Sequence, residues 1–234
     1  MQDTPIIIQG AMNSEIDGYL SKIGHPEVVT VGGFSFYRGN FCGKDLIVCK
    51  TGIGIINAAV ATAICILEFH PAAVINQGTA GAHVPELHIG DIVVGKACIN
   101  INDLKMPERG AGEGSDPLKW EFSKRSVCRS ADPALLKLFE RAEYPGHRKV
   151  SGILGSGDLF SREADRISWI HQSRNNLCED MESISAYEVC ERFSVPCIGL
   201  RVISNNELTG EKYDGSSADL LQQFVTDTLS KPAE

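Results

Sequence analysis

The chain has 234 residues, of which 43% are hydrophobic and 22% charged, and its formal net charge is −8 at pH 7. This composition is typical of a globular protein that can bury a full core. The negative charge argues against a nucleic-acid partner, because binding phosphate backbones requires a basic face. The longest apolar run, about residues 58–67, is too short to cross a bilayer, so no membrane partner is expected.

The eight cysteines form no CxxC pair and no Cys/His cluster with zinc-ligand spacing. Most of them lie inside apolar runs, which favours buried free thiols in a reducing compartment. Residues 1–10 lack the basic segment and the long apolar core of a signal peptide. These features predict a cytoplasmic protein without a bound metal.

The first hundred residues predict several short strands and two helices. Strands are predicted over 5–9, 28–33, 34–39, 45–50, 71–77 and 90–98, and helices over 11–24 and 51–70. Turn glycines separate the three strands between 28 and 50, which predicts a meander. The helix over 51–70 is apolar on all sides, so we expect it to be buried between layers. Gly78-Thr79-Ala80-Gly81 is interpreted as the turn that closes the preceding strand.

The second half alternates strands and helices after a polar region without clear periodicity. That region, 100–130, is expected to be a loop with a possible strand at 120–122. Helices are predicted over 132–139, 163–171, 182–193 and 217–229, and strands over 149–156, 178–181 and 197–204. Several strands are continuously apolar, so we expect an α/β protein with a mainly parallel central sheet covered on both faces. No repeat or linker divides the chain, which favours one domain over 1–234.

Polar residues stand where predicted strands stop and helices start. Met181-Glu182 opens one helix and Ser204-Asn205 ends the next strand. Because ligands of open α/β sheets bind outside the carboxyl ends of the strands, these pairs could face one pocket. Glu15 and Asp158 are further carboxylates at strand ends. Each carboxylate alone could equally be a helix cap or a solvated charge, so the hypothesis depends on their joint position.

Other motifs point away from nucleotide cofactors and from serine hydrolases. Thr51-Gly-Ile-Gly54 is only a fragment of a dinucleotide-binding fingerprint, and no P-loop is present. No GxSxG nucleophile elbow occurs either. The glycines at 78–81 could let backbone amides approach a ligand or could simply form a tight turn.

Six segments occur in an order that is typical of one enzyme family: IIIQGAMNSEI, KTGIGIINAA, INQGTAGA, HIGDIVV, SGDLFSR and EDMESISAYEVCERFSVPCIGLRVISNN. In these segments the chain resembles the methylthioadenosine/S-adenosylhomocysteine nucleosidases of the purine and uridine phosphorylase superfamily. The resemblance covers nearly the whole chain apart from about 100–150. It implies a three-layer α/β/α sandwich, a homodimer, and hydrolysis of the N-glycosidic bond of a purine nucleoside by water without a cofactor.

The resemblance also assigns roles to particular residues. Glu15 matches the carboxylate that activates the attacking water, and Glu182 matches the one that holds the ribose hydroxyls. Met181 would pack beside the sugar and Phe160 would stack on the base. Further positions that match the family's pocket are Met12, Ile53, Thr79, Gly81, Ser204 and, with a different spacing after the strand, Tyr213.

The chain departs from the family at Asn205. The family has an Asp there, which protonates N7 of the leaving adenine, whereas an amide can donate a hydrogen bond but cannot deliver a proton. The N7 and O6 atoms of a 6-oxopurine are both acceptors, so an amide donor suits that base. We therefore expect Asn205, as a third catalytic residue, to shift the preference toward inosine- or guanosine-type substrates.

Two other functions fit part of the pattern. The phosphorolytic members of the superfamily hold phosphate with arginines, but the segment 10–15 contains none, which favours water as the nucleophile. A catalytically weakened nucleoside-binding protein would explain Asn205. Retention of Glu15 and Glu182 argues against it, since a binder gains little from a buried water-activating carboxylate.

Overall fold

The computed structural model describes residues 4–231. Its first half contains β1 (Ile6–Gly10), α1 (Asp17–Lys22), β2 (Glu27–Val31), β3 (Phe34–Phe41), β4 (Lys44–Lys50), α2 (Ile55–Phe69), β5 (Ala73–Ala82) and β6 (Ile92–Asn100). The second half contains β7 (Leu104–Lys105), β8 (Glu121–Phe122), β9 (Arg129–Ser130), α3 (Pro133–Arg141), β10 (Lys149–Ser156), α4 (Ala164–Arg174), β11 (Asn176–Asp180), α5 (Ser183–Phe193), β12 (Cys197–Asn205) and α6 (Ser217–Ser230). Short 3₁₀ helices span Asn13–Glu15 and Pro117–Lys119.

A ten-stranded mixed sheet forms the centre of the described chain, in the order β11-β10-β6-β12-β5-β1-β4-β3-β2 with β9 beside β6. Strands β4, β1, β5 and β12 run parallel to one another, as do β6, β10 and β11. Strand β11 also pairs with the end of β5, so β5, β12, β6, β10 and β11 close into a ring. The α/β fold with a mixed central sheet is therefore confirmed.

Local sequence signals placed most of these elements correctly. The antiparallel β2-β3-β4 meander lies where the turn glycines predicted it. Helix α3 starts as predicted, because the Asp132 side chain accepts hydrogen bonds from the amides of Ala134 and Leu135 at 2.9 and 3.0 Å. The possible strand at 120–122 is real, since β8 pairs with β7.

The prediction of a turn at residues 78–81 is wrong. Strand β5 continues through Gly78 and Gly81 to Ala82, and β12 pairs with it along this stretch. The two glycines are needed for space. A Cβ at Gly78 would lie 2.8 Å from Oε1 of Glu15, and one at Gly81 would lie 3.3 Å from Nδ2 of Asn205.

The prediction that the helix over 51–70 is buried between layers is also wrong. Helix α2 packs against α5 and buries Ala58, Ala61 and Cys65. Its opposite face carries Ile56, which is 75% exposed, and Leu67, which is 58% exposed. Together with Val60, these residues form the apolar face of α2, which no other part of residues 4–231 covers.

The cysteines are all free: Cys42 and Cys128 are exposed, and the other six are buried as the apolar runs predicted. Within the described residues, no helix is both long and apolar enough to cross a membrane.

Candidate active site

One cavity of about 210 Å³ lies at the carboxyl ends of β1, β5, β11 and β12. Every residue to which the family resemblance gave a place in the site lines it: Met12, Glu15, Ile53, Thr79, Gly81, Phe160, Met181, Glu182, Ser204, Asn205 and Tyr213. The polar side chains lie at its base, whereas Ile53, Phe160 and Tyr213 are each at least half exposed at its rim. The expected convergence of strand ends on one pocket is therefore seen in the structure.

Glu15 follows β1 on the 3₁₀ turn and is almost fully buried. Its Oε2 accepts hydrogen bonds from the amides of Ala11 and Met12 at 2.8 and 3.1 Å. Its Oε1 accepts from the amide and the hydroxyl of Thr79 at 2.8 and 3.0 Å. Four donors thus fix the carboxylate at the base of the cavity.

Glu182 precedes the first turn of α5, and its Oε1 accepts a hydrogen bond from the amide of Gly54 at 2.9 Å. Gly54 has φ +99°, a conformation that a residue with a side chain rarely adopts. Burial raises the pKa of Glu182 to about 7, and the neighbouring Asp180 carboxylate acts in the same direction. Arg201 and the Gly54 amide oppose the rise. The side chain therefore titrates near neutral pH.

A buried ion pair behind Glu182 escaped the sequence analysis. Nε of Arg201 lies 3.1 Å from Oδ2 of Asp180, and both side chains are 1% exposed. Oδ1 of Asp180 accepts from the Ser156 hydroxyl and from the amides of Glu182 and Ser183, so it caps α5. The sequence contained a signal for this ion pair, namely Arg201 within the apolar strand β12. A buried strand seldom contains an Arg without an acidic partner.

Ser204 and Asn205 end β12 and are both buried. The Ser204 hydroxyl lies 3.2 Å from the carbonyl of Ala80 and 3.1 Å from Oδ1 of Asn205. Nδ2 of Asn205 makes no hydrogen bond with the described residues and so remains a donor for a ligand in the cavity.

Further polar side chains that the sequence analysis did not single out line the same cavity: His83, Ser161, Glu179 and Glu207. Asp158, a candidate from the sequence, does not line it. Instead its Oδ1 accepts from the amide of Ile55 at 2.8 Å and so helps to fix the start of α2.

The fold and the cavity define an α/β protein of the nucleoside-phosphorylase type, with buried carboxylates and an amide at the carboxyl ends of its strands. The pattern of the Phosphorylase superfamily matches residues 5–231, and the chain belongs to this family. The predicted membership of this superfamily is thereby confirmed.

Individual relatives agree with this assignment. The 5′-methylthioadenosine/S-adenosylhomocysteine nucleosidase of Halalkalibacterium halodurans is 32% identical over 86% of this chain and 85% of its own length. The Neisseria meningitidis enzyme of the same name, solved with methylthio-immucillin-A, has a TM-score of 0.82 and 25% identity over 97% of this chain and 99% of its own. The futalosine hydrolase of Helicobacter pylori has a TM-score of 0.81 and 25% identity over 97% of both chains.

Proposed function

We propose that the chain is a single-domain purine nucleosidase, which hydrolyses the N-glycosidic bond of a nucleoside of the methylthioadenosine/S-adenosylhomocysteine type to a free base and a ribose derivative, with a base preference that Asn205 shifts toward 6-oxopurine nucleosides such as inosine and guanosine. One observation carries the proposal: two buried carboxylates, Glu15 and Glu182, line one cavity together with a buried amide donor. Curated relatives with this enzymatic name, matched along most of the chain, support it.

Glu182 serves the sugar side of the reaction. Departure of the base leaves positive charge on C1′ and the ring oxygen of the ribose. A carboxylate in a cavity shielded from water stabilises that charge and binds the ribose hydroxyls. Because the Gly54 amide occupies Oε1, Oε2 is the oxygen that we assign to the hydroxyls.

Glu15 serves the attacking water. A carboxylate has about four lone-pair positions, and four donors already use those of Glu15. The Thr79 hydroxyl is the only one of the four that can rotate, so its movement frees a lone pair for the water. Glu15 then accepts a proton as the water oxygen bonds to C1′ and the electron pair of the C1′–N9 bond leaves with the base.

Asn205 serves the leaving base. Its Nδ2 donates a hydrogen bond to N7, and the proton that neutralises the departing base comes from solvent. This arrangement weakens catalysis for adenine relative to a carboxylic acid. It is compatible with a 6-oxopurine, which offers both N7 and O6 as acceptors.

Hydrolysis is favoured over phosphorolysis by the charges around the cavity. Among the described residues that line it, none is Lys or Arg, and an anion such as phosphate needs such a clamp. A weakened nucleoside-binding protein is the second candidate, favoured by Asn205 alone.

The experiment is incubation with methylthioadenosine, S-adenosylhomocysteine, adenosine, inosine and guanosine, with and without phosphate, followed by detection of free base and sugar. We expect free base and a reducing sugar in phosphate-free buffer, and loss of both in Glu15→Gln. A sugar phosphate formed only with phosphate would instead identify a phosphorylase. Binding without turnover, with activity gained in Asn205→Asp, would identify the weakened binder.

A further inference from the structure

Three polar side chains that line the cavity have no role in the mechanism above: His83, Ser161 and Glu179. The Glu179 carboxylate is 7% exposed and accepts from the amide and the hydroxyl of Ser161, both at 2.7 Å. Nε2 of His83 lies 3.3 Å from Oε2 of Glu179. We call these residues the Glu179 cluster.

The hydrogen bonds of Asn176 determine which ring nitrogen of His83 carries the proton. Nδ2 of Asn176 lies 2.9 Å from Nδ1 of His83 and 3.1 Å from the carbonyl of Cys178. A carbonyl only accepts, so the amide nitrogen must face it, and Nδ1 must accept from the same nitrogen. The imidazole proton is then on Nε2, directed at Glu179. All three contacts therefore donate to Glu179, whose carboxylate is an acceptor within the cavity.

Strand register places Glu179 across the cavity from Asn205. Gly81 on β5 pairs with Asn205 on β12 and with Glu179 on β11. Since neighbouring strands lie about 4.8 Å apart and these strands belong to a closed ring, the two backbones are separated by less than about 10 Å. Gly81 has no side chain to fill the space between them, and both Asn205 and Glu179 line the cavity. An amide donor and a carboxylate acceptor thus flank one opening.

We propose that Glu179 determines base specificity by accepting the N1–H of a 6-oxopurine while Nδ2 of Asn205 donates to N7 and O6. This inference rests on the proposed nucleosidase function and names the base of its substrate. Along one edge a 6-oxopurine presents the acceptors N7 and O6 and then the donor N1–H. The two acceptors match the amide donor of Asn205, and the N1–H matches the carboxylate acceptor of Glu179. Adenine presents an acceptor at N1, whose lone pair would face the carboxylate.

The test compares kcat/KM for inosine and adenosine, which differ only in the base edge, in the wild type and in Glu179→Gln. Gln keeps an acceptor for the Ser161 amide but also presents an NH₂ donor. We expect kcat/KM for inosine to fall about 10- to 100-fold, because a hydrogen bond to a charged group is lost. Adenosine turnover should be unchanged or higher. In Ser161→Ala, which keeps the carboxylate, the preference for inosine should persist.

Three results would overturn the proposal. One is an equal loss for both substrates in Glu179→Gln, since a merely structural role lowers both alike. Another is a wild type that prefers adenosine. If the wild type cleaves no nucleoside, the nucleosidase function fails, and calorimetric binding of hypoxanthine and adenine decides the specificity instead. Equal affinity for the two bases would then be the third contrary result.

Discussion

The raised pKa of Glu182 predicts that activity and stability respond to pH in opposite directions. The proposed mechanism needs the ionised carboxylate, and the pKa of this side chain is about 7. Because kcat/KM reports the free enzyme, it should fall about tenfold for each pH unit below 7. Replacing Glu182 by Gln should abolish this fall of kcat/KM at acidic pH together with most of the activity.

The stability effect follows from the same pKa. Folded protein binds the Glu182 proton more tightly than the unfolded chain, whose Glu pKa is near 4.5. The contribution of Glu182 to stability is therefore complete below pH 4.5 and is lost as the pH rises through about 7. The difference between the two pKa values corresponds to about 3 kcal/mol. Glu182→Gln, which keeps an acceptor for Gly54, should thus be more stable than the wild type at pH 8 by up to about 3 kcal/mol.

Thermal unfolding at pH 5 and pH 8 measures this gain. At pH 8 the melting temperature of Glu182→Gln should exceed that of the wild type by about 5–10 °C, and the difference should shrink markedly at pH 5. Glu163→Gln is the matched control, because Glu163 is an exposed glutamate whose side chain does not cap its helix. A wild-type kcat/KM that stays flat between pH 5.5 and 8, or an equal gain at both pH values, would refute the reasoning.

Three further predictions concern the carboxylates and the apolar face of α2. Glu15→Gln should lower kcat by about 10²- to 10⁴-fold with little change in nucleoside affinity, as steady-state rates and calorimetry will show. Arg201→Met should cost about 3–5 kcal/mol of unfolding free energy in denaturant titrations, because it leaves Asp180 buried without a cation; equal stability would contradict this. We expect a homodimer that uses the apolar face of α2, so light scattering should find the monomer in Val60→Glu, whereas an unchanged mass would place the interface elsewhere.

The sequence predicted the part of the site that polar residues at strand ends reveal. Glu182 stands where a helix begins after a strand, and Asn205 ends a largely apolar strand, so both positions are visible without knowledge of the fold. The turn prediction at 78–81 failed because glycine signals both a turn and a close approach. Here Gly78 makes room for Glu15, and that need arises from a residue distant in the chain.

The contacts that were missed join residues whose proximity only the fold creates. Asn176 and His83 are separated by 93 positions, and neither stands out in the sequence. Glu179 lies beside Asp180 in an acidic stretch, where it was interpreted only as part of a strand end. Both oxygens of its carboxylate accept hydrogen bonds from Ser161. Periodicity cannot show this contact, because the two residues lie in different elements of the chain.

The start of α2 belongs to the cavity and to the outer surface at once. The amide of Gly54 donates a hydrogen bond to Glu182, and Ile53 lines the cavity. Ile56, in the first turn of α2, begins the exposed apolar face. A surface that covers this face therefore contacts the same helical turn whose first amide holds the Glu182 carboxylate. Assembly and turnover would then be coupled through one short segment, and dilution would change the reaction rate per chain as well as the particle mass.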